Sequence, residues 1–266
     1  MKILIAGAGN MGRTYAEGFL TDHLLTKDDL TILEKNEERA KQLQAEGYTN
    51  VIHQADERIK VLDIVLLAVK PQDLPSLVEQ LRPHLRADQI VLSIMAGITI
   101  ETLKRELQVT KVARAMPNLP SQIGRGMTGF TASDDVDRRE LFILQNLINT
   151  TGKSIYFERE GKLDAVTAIS GSGPAYVFYF MEAMMKTASE MGFSRAESEL
   201  LVEQTFLGAV DLIRVSKTSC TDWIKRVASR GGTTEAALKA FESRDLTSSI
   251  QEGLRAARDR AEELGR

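Results

Sequence analysis

The sequence predicts an α/β domain followed by an all-helical domain, and three observations carry that expectation. Up to about residue 158, apolar runs of strand length alternate with amphipathic helical stretches, the pattern of a parallel sheet with crossover helices. After residue 160 the β signal all but disappears, and Ala, Met and Phe recur on apolar stripes at helical spacing. The chain of 266 residues is long enough for two moderate cores. The expected boundary divides residues 1–159 from 160–266, with only the short, charged FEREGKLDA (157–165) at the junction.

Within the first part, KILIAG (2–7) reads as a buried strand and NMGRTYAEGFLT (10–21) as the helix after it. LTILEK (30–35) is a second strand, and NEERAKQLQAEG (36–47) a helix whose Gly47 suits a C-terminal cap. DIVLLAV (63–69), QIVLSIM (89–95) and KVARAM (111–116) read as further strands, with helical LPSLVEQLRPHL (74–85) among them. GMTGFTA (126–132) and KSIYFE (153–158) read as closing strands around the helix DDVDRRELFILQNLINTTG (134–152). In the second part, from Leu163 onward, only helical periodicity remains, broken at Gly/Ser clusters, and Met181, Met184 and Met185 suit packing in a core or against a partner.

Composition narrows the function classes. Lys and Arg total 34 against 37 Asp and Glu, so the net charge is -3. That offers no basic field for nucleic acid or a membrane surface. The lone Cys220 rules out an internal disulfide and fits a reducing compartment. No apolar run reaches the roughly 18 residues of a spanning helix, and glycines interrupt the N-terminal apolar run at once. The expected location is cytoplasmic. His23, His53 and His84 are scattered without metal-ligand spacing, so neither a zinc centre nor a His-based triad is expected.

The first chemical signal is GAGNMG (7–12), a G-x-G-x-x-G directly after a strand and opening a helix. Alone the motif is weak, because glycine-rich strand ends also have purely structural uses. In this context Gly7 makes the tight turn, Gly9 admits a pyrophosphate close to backbone, and Gly12 lets helix and strand pack closely. The α/β half is therefore expected to be a Rossmann domain, with Gly7, Ala8, Gly9, Asn10, Met11 and Gly12 binding a dinucleotide. Glu34 ends the second strand, where a carboxylate accepts from the ribose 2′-OH of NAD and repels a 2′-phosphate. A solvated strand-end acid is the plainer account of the same residue. Lys35 and Asn36 leave room for a phosphate, so the expectation leans to NADH with NADPH open.

Two stretches of the helical half are hard to explain as packing alone. SGSGPAY (170–176) puts small residues and Pro174 inside a helical run; Pro174 suits a first helical turn and Ser172 could cap it. In VASRGGTTEAALKAF (227–241), Ser229 through Thr234 would bring hydroxyls and N–H groups to a helix start. That suits a carboxylate ligand, although a simple cap by Thr233 is the commoner use of such a residue.

Taken in order, GAGNMG, AVKPQ (68–72), RAMPN (114–118), SGSGPAY and GGTTEAAL (231–238) resemble the serial motifs of the pyrroline-5-carboxylate reductase family. LRAARDRAEELG (254–265) resembles that family's closing helix, so the likeness spans essentially the whole chain. The resemblance implies reduction of the C=N bond of pyrroline-5-carboxylate to L-proline by NADH or NADPH. It also implies a helical domain that interlocks with a second subunit, an active site at that interface, and dimers that often form rings of five. Carried over residue by residue, Gly7 to Gly12, Glu34, Asn36, Ala68, Val69, Lys70, Pro71, Ala96 and Gly97 would line the dinucleotide. Asn118 would lie near the nicotinamide. Ser229 and the N–H groups around Gly232 and Thr233 would hold the substrate carboxylate, and Thr234 would hydrogen-bond the ring nitrogen as the catalytic hydroxyl. Glu160 matches a family acid, with a structural surface role as the equal alternative.

The chain departs from the family at two places. Ala228-Ser229-Arg230-Gly231-Gly232 stands where the family usually reads T-S-P-G-G, and Leu119 replaces a threonine in N-T-P. Losing the proline frees φ and restores an N–H, and Arg230 adds a cation beside the expected carboxylate site. Three other readings follow. A 3-hydroxy-acid dehydrogenase would need a lysine early in the interdomain helix, and none occurs there before Lys186. A reductase of the six-membered piperideine carboxylate differs only in pocket size. A paralogue that senses NAD(H) or proline without catalysis is the non-enzymatic alternative.

Overall fold

A computed structural model describes residues 1–265, which fall into two compact units: residues 1–173 with the chain from Ala257 onward, and residues 174–256. The first unit is built on strands β1 (Ile3–Ala6), β2 (Leu30–Leu33), β3 (Val51–Ile52), β4 (Ile64–Leu67), β5 (Ile90–Ser93), β6 (Lys111–Met116), β7 (Gly126–Ala132) and β8 (Gly152–Tyr156). They form one sheet in the order β3-β2-β1-β4-β5-β6-β7-β8. All neighbours run parallel except β6 and β7, which pair antiparallel. That reversal, and the two-residue β3, lie outside the sequence expectation. The other seven strands fall where their apolar runs predict them.

Helices α1 (Asn10–Thr21), α2 (Glu37–Ala45), α3 (Leu74–Leu81), α4 (Ile100–Leu107), α5 (Arg138–Asn149) and α6 (Lys162–Val166) connect or follow these strands. Alternate residues of β1 serve opposite faces of the sheet. Ile3 and Ile5 pack with Tyr15, Phe19, Phe130 and Leu144; Leu4 and Ala6 pack with Leu74, Leu81, Val91 and Leu103. A strand covered on both faces reads as a continuous apolar run, which is why KILIAG is legible without alternation. Caps trim the helices. Asp137 accepts from the Glu140 N–H at 2.8 Å while Glu140 accepts from the Asp137 N–H at 3.0 Å, so α5 starts at Arg138 and not at residue 134. Gly47 follows α2 with φ 87°, the left-handed geometry its C-terminal role requires.

After α6 the backbone forms a π-type turn over Thr167–Gly171, so the helical pattern breaks at the small residues where the sequence places the break. Then come α7 (Gly173–Glu190), α8 (Arg195–Val215), α9 (Cys220–Val227), α10 (Thr233–Ser243) and α11 (Leu246–Leu264). Pro174 lies in the first turn of α7, where its missing N–H costs no hydrogen bond. The helical unit covers little of its own apolar surface. No residue of α7 is buried and α8 buries only Ser198 and Val202, while Phe178, Tyr179, Leu200, Leu207 and Val215 are exposed. Among the described residues, no helix is long and apolar enough to cross a membrane.

Candidate active site

The order of strands places β2 and β4 on either side of β1, so the chain winds out from β1 through β2 and β3 and then crosses back to β4 on the other side. Open α/β sheets bind ligands in the crevice at such a reversal, beyond the carboxyl ends of the strands. The loop after β1 reaches that crevice with Gly7 at φ 97°, a conformation that costs glycine nothing. A Cβ on Gly12 would sit 2.0 Å from the Gly7 carbonyl oxygen, so α1 can pack this closely on β1 only with glycine there. A Cβ on Gly9 would meet nothing within 4 Å, which leaves the front of the loop open. Gly9 is also the N-cap of α1, with no side-chain cap and no acidic residue in the first turn. The first-turn N–H groups are therefore directed at space and uncontested by any anion.

These residues line a cleft of about 630 Å³ that continues past the ends of β2, β4 and β5. Gly7, Gly9, Asn10 and Met11 form its floor, and Ala68, Val69, Lys70 and Ile94 one wall. Glu34, Lys35, Arg39 and His53 form its far end. Glu34 is only 3% exposed. Its carboxylate accepts from the Ala8 N–H at 3.0 Å, the Asn36 N–H at 2.8 Å and Arg39 Nη1 at 3.0 Å. The acid is therefore no solvated strand end: it clamps the glycine loop to the start of α2. Asn36 spends its side chain capping α2, accepting from the Arg39 N–H at 2.9 Å. Lys35 pairs with Asp73 at 2.8 Å. The open loop, the uncapped α1 and the cleft volume together fit a dinucleotide.

RAMPN occupies the end of β6 and is tied into the same unit at three points. Asn118 donates to the carbonyl and hydroxyl of Ser170, both at 3.2 Å, and accepts from the Met127 N–H at 2.9 Å. Met116 fills the place a Cβ on Gly171 would take, 2.8 Å away. The small residues of SGSGPAY thus admit a side chain from β6. Arg114 is buried and pairs through Nη1 with Glu160, which also accepts from the Ile100 N–H at 2.8 Å at the start of α4. Burial pushes the nearby Asp164 carboxyl above its ordinary range, with Arg114 opposing the shift. Glu160 is therefore a structural acid in this fold, countering a buried guanidinium whose Nε has no partner.

Glu160→Ala is expected to destabilise the protein by about 3 kcal/mol, since it strands a buried cation. Glu160→Gln, which keeps an acceptor for Ile100 and Arg114, should cost less. Chemical denaturation of the three proteins checks the order.

In the helical unit, the 228–232 turn leads into α10. The Gly232 N–H donates to the Ser229 carbonyl at 3.0 Å, and Gly231 turns at φ 76°. A Cβ on Gly232 would lie 2.5 Å from Ser229 Oγ, so glycine is required beside that hydroxyl. The N-cap of α10 is Gly232 and not Thr233. Capping comes from inside the helix, where Glu235 accepts from the Gly231 N–H at 2.5 Å and is held below the ordinary carboxylate range mainly by that bond. This leaves the N–H groups of Thr233 and Thr234, in the first turn, as the donors free for an anion. Thr234 also borders a small cavity of about 360 Å³ walled by Leu212, Ile213, Trp223 and Leu238, where it is the one hydroxyl-bearing residue. Arg230 is exposed.

Of the residues expected around the dinucleotide, Gly7, Gly9, Asn10, Met11, Glu34, Ala68, Val69 and Lys70 line the one cleft. Ala8 meets Glu34, Gly12 packs on Gly7, and Pro71 opens a short helical turn after β4. Ala96 and Gly97 lie beyond β5, where a Cβ on Gly97 would sit 2.8 Å from the Leu264 carbonyl at the end of α11. Arg39 and His53 were not singled out from the sequence. Arg39 could have been found, since it lies within the first turn of a helix whose cap, Asn36, is two residues after Glu34; His53 gave no signal.

Comparison with known proteins gives these sites a family. The family model described as pyrroline-5-carboxylate reductase dimerisation matches residues 160–264, and one described as NADP oxidoreductase coenzyme F420-dependent matches residues 2–97. Pyrroline-5-carboxylate reductase from Staphylococcus epidermidis is 33% identical over 266 residues, covering 99% of this chain and 98% of the relative. The solved pyrroline-5-carboxylate reductase of Coxiella burnetii superposes with a TM-score of 0.90 at 31% identity, covering 100% of this chain and 98% of that one. The Plasmodium falciparum enzyme, solved with NADP bound, superposes at 0.89 with 26% identity, covering 100% and 98%. A reductive aminase from Aspergillus terreus, at 15% identity and a TM-score of 0.61, shares the fold alone. A Rossmann unit with an open glycine loop, a helical unit matching the dimerisation model and a full-length relative at 33% identity lead to one conclusion: this chain belongs to the pyrroline-5-carboxylate reductase family.

Proposed function

We propose that this protein reduces the C=N bond of 1-pyrroline-5-carboxylate to give L-proline, the last step of proline biosynthesis. The observation that carries the reading is full-length similarity to pyrroline-5-carboxylate reductases in a chain whose glycine loop opens on a dinucleotide-sized cleft. The alternatives, a piperideine carboxylate reductase and a non-catalytic sensor, are not favoured, because the curated relatives share one activity name.

The reduced nicotinamide coenzyme supplies the hydride. The chain's own residues bind and orient. Gly7 to Gly12 receive the pyrophosphate on the N–H groups of α1, with Ala68, Val69, Lys70 and Pro71 on the opposite wall and Ala96, Gly97 and Asn118 toward the nicotinamide. Ser229 and the first-turn N–H groups of α10 hold the substrate carboxylate, helped by the helix dipole. Thr234 sets the ring nitrogen in place and relays a proton to it from solvent, its own hydroxyl being restored in the same transfer. A protonated cyclic imine is already electrophilic at carbon, so positioning does most of the work and no histidine or lysine is needed. Glu34 at the adenosine end makes NADH the proposed preferred donor.

The helical region from residue 160 is the proposed unit of self-association. The uncovered apolar residues of α7 and α8 support a homodimer with interlocked helical domains, which can assemble further into a ring of five dimers. Two measurements test the proposal together. Oxidation of NADH or NADPH should depend on added pyrroline-5-carboxylate, and the absence of turnover with both coenzymes would refute the activity. Light scattering should give at least a dimer; a monomer would count against the assembly.

A further inference from the structure

Ala96 and Gly97, at the nicotinamide end of the proposed coenzyme site, lie in a connection between β5 and α4 that does little to hold itself. Before them, Ile94 lines the cleft and donates its N–H to the Leu67 carbonyl at 3.1 Å. After them, Ile100 donates its N–H to Glu160 at 2.8 Å. Between these anchors, Ala96, Gly97 and Ile98 make no backbone–backbone hydrogen bond among the described residues. Ile98 packs on the core that contains Leu74, Leu81 and Leu103, which leaves the position of Ala96 and Gly97 to whatever covers them.

The end of α11 covers Gly97. From Ala257 onward this helix belongs to the first unit, with Ala261 buried. A Cβ on Gly97 would stand 2.8 Å from the Leu264 carbonyl oxygen and 3.2 Å from the Gly265 nitrogen, so the Leu264–Gly265 peptide lies directly on the Gly97 backbone. The fit is reciprocal: a Cβ on Gly265 would stand 2.8 Å from the Gly97 carbonyl oxygen. No rotamer change relieves a collision with backbone, so an added carbon at either glycine forces one segment away from the other. Gly97 turns at φ 77° and has a conformational reason to be glycine as well. Gly265 requires no left-handed φ, so the contact alone calls for glycine there.

We propose that Gly265 is a positioning residue for the reduction: it lets the end of α11 close on Gly97 and so fixes the backbone that faces the nicotinamide ring. The inference rests on the dinucleotide reading of the cleft, with Ala96 and Gly97 toward the nicotinamide, and deepens it. Gly265 acts through Gly97.

The test compares two Kd values in the full-length protein. One is that of NADH or NADPH, whichever the parent binds more tightly. The other is that of the same molecule without its nicotinamide, ADP-ribose or 2′-phospho-ADP-ribose. Gly265→Ala should raise the ratio of coenzyme Kd to fragment Kd severalfold, with fragment affinity retained. Its kcat should fall by about 10- to 100-fold, up to the cost of a misplacement of about 1 Å. Gly97→Ala should act in the same direction, and the double variant should lose less than the two single losses combined, because one displaced segment relieves both collisions. Glu263→Ala, which removes only an exposed pair with Arg260, should leave the ratio and kcat at the parent's values. An unchanged ratio in Gly265→Ala, whatever its melting temperature, overturns the inference and leaves Gly265 a packing residue. Equal loss of coenzyme and fragment affinity overturns it too, since the disturbance then reaches the whole cleft, as does strict additivity of the two glycine substitutions. A parent that binds neither coenzyme and neither fragment sinks the dinucleotide reading itself, and this inference with it.

Discussion

Thr234→Ala is expected to lower kcat by about 100-fold or more, the usual range for a lost proton-handling group, while coenzyme affinity and the melting temperature stay close to the parent's. The expectation comes from where the residue sits. Thr234 is in the first turn of α10, a helix whose N-terminus is capped by Glu235 through the Gly231 N–H. Its hydroxyl makes no cap, so alanine removes no structural bond there and is itself a good helix former. What would be lost is the hydroxyl proposed to align the imine nitrogen, an effect expected on the chemical step. Thr234→Ser should restore much of the rate, because it returns the hydroxyl. Steady-state kinetics with saturating coenzyme, beside a thermal melt, separates this from a folding defect. A variant with unchanged kcat would remove Thr234 from the mechanism.

Gly12→Ala is expected to weaken binding of NADH and NADPH alike by about 100-fold or more, and to cost about 1–3 kcal/mol in stability from overpacking. A Cβ at this position would stand 2.0 Å from a backbone oxygen, that of Gly7, and 3.3 Å from the Ala68 Cβ. Neither neighbour is the flexible end of a long side chain, so α1 must move off β1 and carry its first-turn N–H groups with it. Gly9→Ala is the useful contrast. Its Cβ meets no protein atom within 4 Å, so any loss of affinity there reports competition with the ligand and not a distorted fold. Fluorescence titration with NADH and differential scanning calorimetry distinguish the two: affinity and stability fall together at Gly12, affinity alone at Gly9.

Much of the first unit was legible in the sequence because its determinants are local. Seven of its eight strands are apolar runs bounded by turn residues, and the strand-loop-helix at GAGNMG is set by glycines within six positions. The two-residue β3 escaped because so short a strand has no periodicity; it exists through its pairing with β2. The antiparallel entry of β7 beside β6 also depends on which edge the chain returns to, a choice made by packing and not by any run of residues.

The sequence by itself determined the alternation of elements, the glycine loop, the acid at the end of β2, and the family to which the serial motifs belong. Tertiary structure alone decided what the polar groups do. Glu34, expected as a ribose acceptor, is in addition a clamp with three donors, Glu160 is the counter-charge of buried Arg114, and Asn118 is a brace between β7 and the turn at Ser170. The reason is physical. Periodicity and turn chemistry act over a few residues and survive in the linear text. Hydrogen-bond and charge partners are chosen among groups far apart in sequence, 60 positions for Glu160 and Ile100, once the folded chain has brought them within hydrogen-bonding distance and removed the competing water.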